Sequence, residues 1–511
     1  MTKIEITMLC AIGLYMVFTI VIGFRSSRQN KNVGDFYLGG RRLGPIVTAM
    51  SAEASDMSGW LLMGLPGTAY LTGICDAGWT AIGLAVGTYI NWLLVAKRLR
   101  KYSAKVDAIT VPDYFSNRYR DRKHILLGIS AAIIVVFFVP YTASGFVACG
   151  KLFSSLFGID YHAAMIISAI VIISYTSIGG FLAASKTDLI QSIVMSIALI
   201  IVLGYGIGSA GGFGAVIDNA KSFPGFLDMN ATYDAATGSS SSYGFLSIVS
   251  TMAWGLGYFG MPHILLRFMA IDDSKKLKLS RRIASVWVVI SLAVAVFIGV
   301  IGLGMTSSGS IVSLSGSDSE TVIVKIAQAL ASHGIPAAAI AGIILAGIFA
   351  STMSTADSQL LAASSSVSEN IISKVFGVKL SEKKQMIIAR VTLVAIAVVA
   401  VFLAWDKDSS VFKIVSFAWA GFGATFGPVM LLSLFWKRSN KWGAIAGMLA
   451  GGAMVFIWKY VIADLGGAFA IYELLPAFII ACVVNVIVSL ATPAPEQEIV
   501  SEFDEVKAME D

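Results

Sequence analysis

Read for its apolar and polar positions, the chain alternates long apolar runs with short charged stretches. Runs long enough to cross about 30 Å of hydrocarbon fall at 6–24, 46–73, 78–97, 124–154, 161–178, 187–209 and 244–265. Others follow at 283–306, 335–364, 387–404, 410–436, 441–463 and 469–491. Together they predict an all-α polytopic membrane protein with about thirteen transmembrane helices. Strands of a membrane barrel would be short and would alternate, and these runs do neither. The first run has no basic stretch before it and no small-residue cleavage site after it, so it reads as a retained helix.

Loop charge then orients the helices. Arg25, Arg28, Lys31, Arg41 and Arg42 follow the first run. Lys97, Arg98, Arg100, Lys101, Lys105, Arg118, Arg120, Arg122 and Lys123 separate the third from the fourth. Lys275, Lys276, Lys278, Arg281 and Arg282 follow the seventh, and Lys437, Arg438 and Lys441 follow the eleventh. The alternate loops are poor in cations, with only Lys221 in Gly211–Tyr243 and only Lys325 in Ser307–Gly334. Positive loops stay in the cytoplasm. An odd number of helices therefore puts the N-terminus outside and the C-terminus inside.

Composition agrees and narrows the classes. The 511 residues are 57% hydrophobic and 13% charged, with a mean hydropathy of +0.80, which no soluble domain requires. The net charge of +6 gathers in loops, so it marks topology and not a nucleic-acid surface. Cys10, Cys75, Cys149 and Cys482 lie in or beside apolar segments without metal-ligand spacing, and no disulfide framework is indicated. His124, His162, His263 and His333 open no H-E-x-x-H, and neither a phosphate-binding G-x-x-x-x-G-K-[ST] loop nor a G-x-S-x-G elbow exists. The tail from Pro493 carries Glu496, Glu498, Glu502, Asp504, Glu505, Glu510 and Asp511 and is expected to be disordered. The Ser239–Ser242 run reads as a flexible linker, and no second soluble domain is expected.

The candidate chemistry centres on Ser51–Gly67, SAEASDMSGWLLMGLPG. Glu53 and Asp56 lie inside an apolar run, where an acid costs roughly 2.5–3.5 kcal/mol on insertion scales. Gly59, Gly64, Pro66 and Gly67 make the helix there easy to open. Five helices later, Trp254-Gly255-Leu256-Gly257-Tyr258-Phe259-Gly260-Met261-Pro262 forms a second interrupted segment. Paired interruptions of this kind point to a binding site between inverted repeats, although glycine-mediated helix packing also accounts for membrane glycines. Broken helices expose carbonyls that hold a cation and N–H groups that hold a carboxylate.

Ser351, Ser354 and Thr355 form another polar cluster. Their spacing places them on one helix face, and their oxygens suit Na⁺. Asp357 reads equally as part of that cluster or as a solvated helix end. Asp188 reads either as an acid favoured at a helix N-terminus or as part of an ion exit path. Tyr141, Trp254 and Tyr258 suit packing or interface anchoring, with a site role left open for Tyr141 by its polar context, and Arg41 marks the inner interface.

Several of these stretches resemble the sodium:solute symporter family. The resemblance rests on Leu38-Gly39-Gly40-Arg41-Arg42-Leu43-Gly44-Pro45 and on Ala54-Ser55-Asp56-Met57-Ser58-Gly59-Trp60-Leu61-Leu62-Met63-Gly64-Leu65-Pro66-Gly67. It extends through Trp254–Gly260 with Pro262-His263-Ile264, Met353-Ser354-Thr355, Ala418-Trp419-Ala420-Gly421-Phe422-Gly423-Ala424 and Phe426-Gly427-Pro428. It implies a LeuT-like five-plus-five inverted-repeat core, with repeats at 46–209 and 244–436 and flanking helices at 6–24, 441–463 and 469–491. One transporter domain would span 1–492, ahead of a cytoplasmic tail at 493–511.

The activity implied is Na⁺-coupled uptake of L-proline across a bacterial cytoplasmic membrane, with another amino acid, a sugar or pantothenate as alternative solutes. Na⁺ would be the coupling ion, with no other cofactor, no nucleic acid and no obligate protein partner, and membrane lipids around the protein. By motif, Na⁺ would meet the backbone oxygens of Ala54, Met57 and Ser351 and the hydroxyls of Ser354 and Thr355. Ser351 stands where the family commonly has Ala, so its hydroxyl either joins the ion or is incidental. Asp56, Ser58 and Gly59 match ion- and substrate-binding positions, and Tyr141, Trp254, Tyr258 and Pro262 match the substrate pocket. Arg41 matches the inner sodium-dependence region and Asp188 the ion-release path. Glu53 departs from the small residue expected at its position.

Overall fold

The computed structural model describes residues 2–27, 33–379 and 381–509; Arg28, Lys31, Glu510 and Asp511, which carry part of the expected loop and tail charge, lie outside them. Helices come first as α1 (Lys3–Ser27), α2 (Val33–Leu38), α3 (Pro45–Asp56), α4 (Leu65–Thr72), α5 (Ile74–Lys105) and α6 (Val111–Arg118). Next are α7 (Ile125–Phe157), α8 (Tyr161–Ser209), α9 (Phe213–Lys221), α10 (Phe245–Met252), α11 (Pro262–Ala270) and α12 (Leu277–Ser307). The rest are α13 (Val322–Ala331), α14 (Ile335–Ser365), α15 (Glu382–Leu403), α16 (Val411–Phe435), α17 (Lys441–Ile457), α18 (Leu474–Ala491) and α19 (Gln497–Ala508). Among the described residues, ten helical stretches are long and apolar enough to cross a membrane, and Tyr161–Ser177 and Phe245–Phe259 are shorter apolar helices.

Two apolar runs are broken where their sequences predict it. α3 ends at Asp56, and Met57 leaves the helix with ψ of 70°. A wide turn at Trp60–Gly64 follows before α4 begins. Pro66 has no N–H for the carbonyl four residues back, and a widened turn absorbs that missing bond. In the second run, a tight helical stretch at Ala253–Phe259 separates α10 from α11. Pro262 starts α11 and holds Met261 extended at φ −73°, ψ 107°, as the residue before a proline prefers.

Close approach fixes the second break in place. A Cβ on Gly257 would stand 1.9 Å from Trp419 Nε1, and one on Gly260 would stand 2.1 Å from the Phe422 carbonyl. The second break therefore sits directly against α16. Its other side lies on α5, where a Cβ on Gly87 would come within 2.3 Å of the Gly255 carbonyl. Small residues allow this where lipid supplies no hydrophobic drive between helices. α14 packs against α8, α1 and α7 at the centre. Leu14, Ile167, Val286 and Phe402 are exposed on the outside, as lipid-facing side chains would be.

The expected helices at 161–178 and 187–209 are the two arms run together as α8, which breaks at Gly180 with φ +66°. Two other expectations change. Ser239–Ser242 is not a loose linker, because it pairs antiparallel with Ala231–Asp234. Backbone bonding holds this hairpin despite serine's weak strand preference. The tail is not disordered over Gln497–Ala508, where α19 buries Ile499, Phe503 and Val506. Glu498 and Glu502 meet Arg120 at 3.1 and 2.8 Å, and Glu505 meets Lys105 at 2.8 Å. Its acids face basic loops, so attraction offsets the charge that would otherwise keep the tail solvated.

Candidate functional site

The first break brings backbone oxygens next to the hydroxyl cluster of α14. Ser354 Oγ donates to the Ala54 carbonyl at 2.7 Å and lies 3.0 Å from the Ser351 carbonyl. Thr355 Oγ1 donates to the same Ser351 carbonyl at 3.1 Å. Ala54, Ser351, Ser354 and Thr355 are thus gathered at one point, all buried, with Met57 at the end of α3 beside them in sequence. The Ser351 hydroxyl turns away to its own helix, donating to the Ile348 carbonyl at 2.7 Å. Its carbonyl is the atom left facing the cluster. Carbonyl and hydroxyl oxygens without a thiolate or imidazole form a hard donor set, which suits Na⁺ and not a transition metal.

Of the side chains expected to line a substrate pocket, Tyr141 and Tyr258 meet at Asp56. Tyr258 Oη donates to Asp56 Oδ2 at 2.6 Å. The Asp56 carbonyl accepts from Trp60 Nε1 at 3.0 Å and from Tyr141 Oη at 3.5 Å. Ser58 Oγ accepts from the Trp60 amide at 3.4 Å. Gly59 is tightly seated, since a Cβ there would lie 2.8 Å from the Ala148 Cβ. Trp254 stacks on Tyr472 with centroids 5.3 Å apart, and lies 6.2 Å from Trp60 and 6.1 Å from Trp419. Pro262 stands at the start of α11 and contributes the break itself. On the side of the 231–242 hairpin, Trp254 and Tyr472 help line a cavity of about 300 Å³ with Asp76, Tyr243 and Phe412.

Asp188 is a correction to one of its two readings. It does not begin a helix, because it lies fully buried within the second arm of α8. Its Oδ2 accepts from Ser51 Oγ at 2.6 Å and from Arg267 Nη2 at 3.2 Å. Arg267 also donates from Nε to Ser51 Oγ at 3.0 Å, from Nη1 to the His263 carbonyl at 2.9 Å and from Nη2 to Ser358 Oγ at 2.5 Å. Asp357 joins through Ser358, 3.1 Å from its Oδ1, so it too is buried and not a solvated helix end.

Sequence reasoning missed Arg267. The available signal was a guanidinium inside an apolar stretch, which carries the same kind of insertion cost as an acid. Arg41 lies away from the cluster. Its φ is +55°, and it donates to Ser103 Oγ and to the carbonyls of Met269, Ser103 and Ala108 at 2.6–3.1 Å. Burial and the nearby Arg100 lower its pKa to about 10. It ties the ends of α5 and α11 together.

The partners that α5 gives Glu53 and Tyr258 were also beyond the sequence reading. Trp92 Nε1 donates to Glu53 Oε1 at 2.9 Å, and Asn91 Nδ2 donates to the Tyr258 carbonyl at 3.0 Å. On the hairpin side, Lys151 and Glu320 form a buried ion pair at 2.8 Å. Glu320 also caps the start of α16 through the Val411 and Phe412 amides, where an acid is favoured.

Known proteins align with this arrangement along nearly its whole length. The model of the sodium:solute symporter family matches residues 36–451. A sodium/proline symporter of Haemophilus influenzae is 43% identical over 97% of this chain and 96% of its own. The high-affinity proline transporter PutP of Bacillus subtilis is 42% identical over 95% of this chain and 98% of its own. A sodium/proline symporter of Staphylococcus aureus is 40% identical over 97% and 95%. Among solved structures, a Na⁺-coupled sialic acid symporter in a substrate-bound, outward-open state superposes with a TM-score of 0.78 at 16% identity, over 96% of this chain and 99% of that one. Mhp1, a nucleobase-cation-symport-1 family transporter in a closed conformation, gives 0.51 at 13% identity, over 93% and 99%. At those identities the likeness is one of fold, and the fold is LeuT-like.

Proposed function

Because the chain belongs to the sodium:solute symporter family, whose members are transporters and not enzymes, we propose that it carries L-proline into the cell together with Na⁺ by alternating access. Relatives named for proline transport, at 40–43% identity over nearly the full chain, support the solute. The observation that carries the coupling is the Ser354 bond to the Ala54 carbonyl, which joins the broken first segment to α14. Na⁺ would replace that proton bridge. The Ser354 hydroxyl then turns its hydrogen away and offers a lone pair, while the carbonyls of Ala54, Met57 and Ser351 and the hydroxyl of Thr355 complete the shell.

Ordering the break in this way pre-forms the pocket made by Asp56, Ser58, Gly59, Tyr141, Trp254, Tyr258 and Pro262. The substrate carboxylate would meet N–H groups freed at the breaks, and the pyrrolidine ring would pack on Trp254 and Tyr258. Asp56 supplies negative field for the approaching cation. Coupling is then reciprocal, each ligand tightening the other. Asp188 would lie on the ion-release path, and Arg41 would steady its inner end. The membrane potential adds about 2.3 kcal/mol per charge per 100 mV.

In the same reading, passes at 46–209 and 244–436 form two inverted repeats within one domain. The chain crosses a bacterial cytoplasmic membrane about thirteen times, with the N-terminus outside and the C-terminus inside, as the basic loops direct. The test is uptake of radiolabelled proline by proteoliposomes holding the purified protein. Uptake should require an inward Na⁺ gradient and be competed by unlabelled proline, not by sugars or pantothenate. Gradient-independent uptake would end the coupling reading.

A further inference from the structure

One face of α12 is basic at its start and apolar along the rest. Lys278, Arg282, Val286, Ile290 and Val294 follow at four-residue steps, so they form a single ridge on that helix. Beside the ridge runs a groove of about 570 Å³ between α12 and the second arm of α8, with Leu199 and Ile200 on the facing wall. Met50 of α3, buried behind both helices, lines it too. Trp287 Nε1 donates to Ser196 Oγ at 2.9 Å and ties the two walls together. The groove opens outward, where Ile200, Val286 and Ile290 are 67%, 61% and 58% exposed. Arg281 turns away toward α5, its guanidinium 5.4 Å from the Tyr89 ring centroid, and Lys276 pairs with Asp272 at 2.6 Å. Arg282 lines the groove, and among the described residues no carboxylate pairs with it or with Lys278.

A groove with a basic mouth and an apolar body matches an amphiphile. From Arg282 to Val294 the ridge runs about 18 Å at the helical rise, against roughly 15 Å for one half of the hydrocarbon core. Its basic end adjoins a loop that the charge pattern places in the cytoplasm. The leaflet there carries a negative surface potential, and basic clusters beside membrane helices attract its anionic headgroups. A zwitterionic lipid brings its own cation and gains less from two unpaired bases. We infer that this groove is a binding site for one anionic phospholipid of the cytoplasmic leaflet. Its phosphate sits at Arg282 and Lys278, and an acyl chain lies along Val286, Ile290 and Val294. The chain touches Met50, one residue ahead of the Ser51 that bonds Asp188. The lipid thus packs against the segment that leads into the first break.

Native mass spectrometry reads the site on the purified full-length protein, delipidated in neutral detergent and then given equal amounts of phosphatidylglycerol and phosphatidylcholine with the same chains. Wild type should keep one phosphatidylglycerol in preference. Arg282→Gln should lower that retention about fivefold, as expected for one base at an anionic headgroup, and Arg282→Lys should keep most of it. Ile290→Trp fills the groove while leaving both bases in place, and should lose the lipid too. A wild-type melting midpoint in the same detergent shows that each variant is folded. Glycerol 3-phosphate, which carries the phosphate without chains, should not displace the lipid. Equal retention of the two lipids, or equal retention of phosphatidylglycerol by wild type and Arg282→Gln, means annular lipid only and overturns the site. Displacement by glycerol 3-phosphate would assign the two bases to a soluble anion and overturn it as well. Because binding is read without transport, the result is independent of the solute carried.

Discussion

Asp188 with Asp357 and Glu53 with Asp56 are two pairs of buried acids handled in opposite ways. Asp188 and Asp357 are tied to Arg267 through direct or serine-mediated bonds. Glu53 and Asp56 lean on a tryptophan and a tyrosine, with no cation of the protein's own. A permanent guanidinium makes the first pair a fixed brace between α3, α8, α11 and α14. Without one, the second pair keeps its charge available to something that arrives from outside. The contrast teaches that the cost of a membrane acid is met in two ways, by a charge built into the protein or by one that arrives from outside.

The contrast breaks most visibly at Arg267. Arg267→Gln should leave two acids buried beside no cation and cost on the order of 3–5 kcal/mol, read as a large drop in the melting midpoint of the detergent-solubilised protein. Adding Asp188→Asn to that variant should restore part of the loss. A single variant that melts like wild type would mean the brace carries no load.

Asp56→Asn comes next. It removes a charge from the uncompensated pair while keeping its shape, so folding should survive and sodium dependence should not. Loss of a charged interaction of about 1.5–3 kcal/mol should raise the half-saturating Na⁺ for proline uptake roughly tenfold or more. Wild-type sodium dependence would refute the role given to Asp56. Thr355→Ala deletes one neutral oxygen, worth about 1 kcal/mol, and should raise the same concentration about fivefold. An unchanged requirement would move the ion elsewhere. The surface provides the floor for these effects. Arg120→Gln loosens α19 but breaks an exposed pair with Glu498 and a half-buried one with Glu502, each worth about 1 kcal/mol, so the melting midpoint should shift slightly and sodium dependence not at all. If it does shift sodium dependence, the tail reaches the transport cycle.

What the sequence disclosed follows from the range of the interactions. The breaks at Pro66 and Pro262 were legible because proline acts on its own turn. The shared face of Ser351, Ser354 and Thr355 was legible because helix periodicity is local. The brace was not, since Arg267 and Asp188 lie 79 positions apart and Ser51 and Asp188 lie 137 apart. Nothing in either local pattern names its partner. Composition misled at the tail, where acidity suggested disorder but Ile499, Phe503 and Val506 follow helical spacing. The hairpin at 231–242 was hidden for a related reason, because backbone bonding and not side-chain preference makes its strands.

The indole of Trp254 has one more consequence. It sits between the rings of Trp60 and Trp419, at 6.2 and 6.1 Å, with Tyr472 stacked at 5.3 Å. Chromophores that close couple their excited states, and such clusters dominate near-ultraviolet circular dichroism when they are rigidly held. Any movement of the broken second segment changes that coupling. The protein thus carries a label-free optical gauge of its own opening, readable without a dye, a crosslink or an added cysteine.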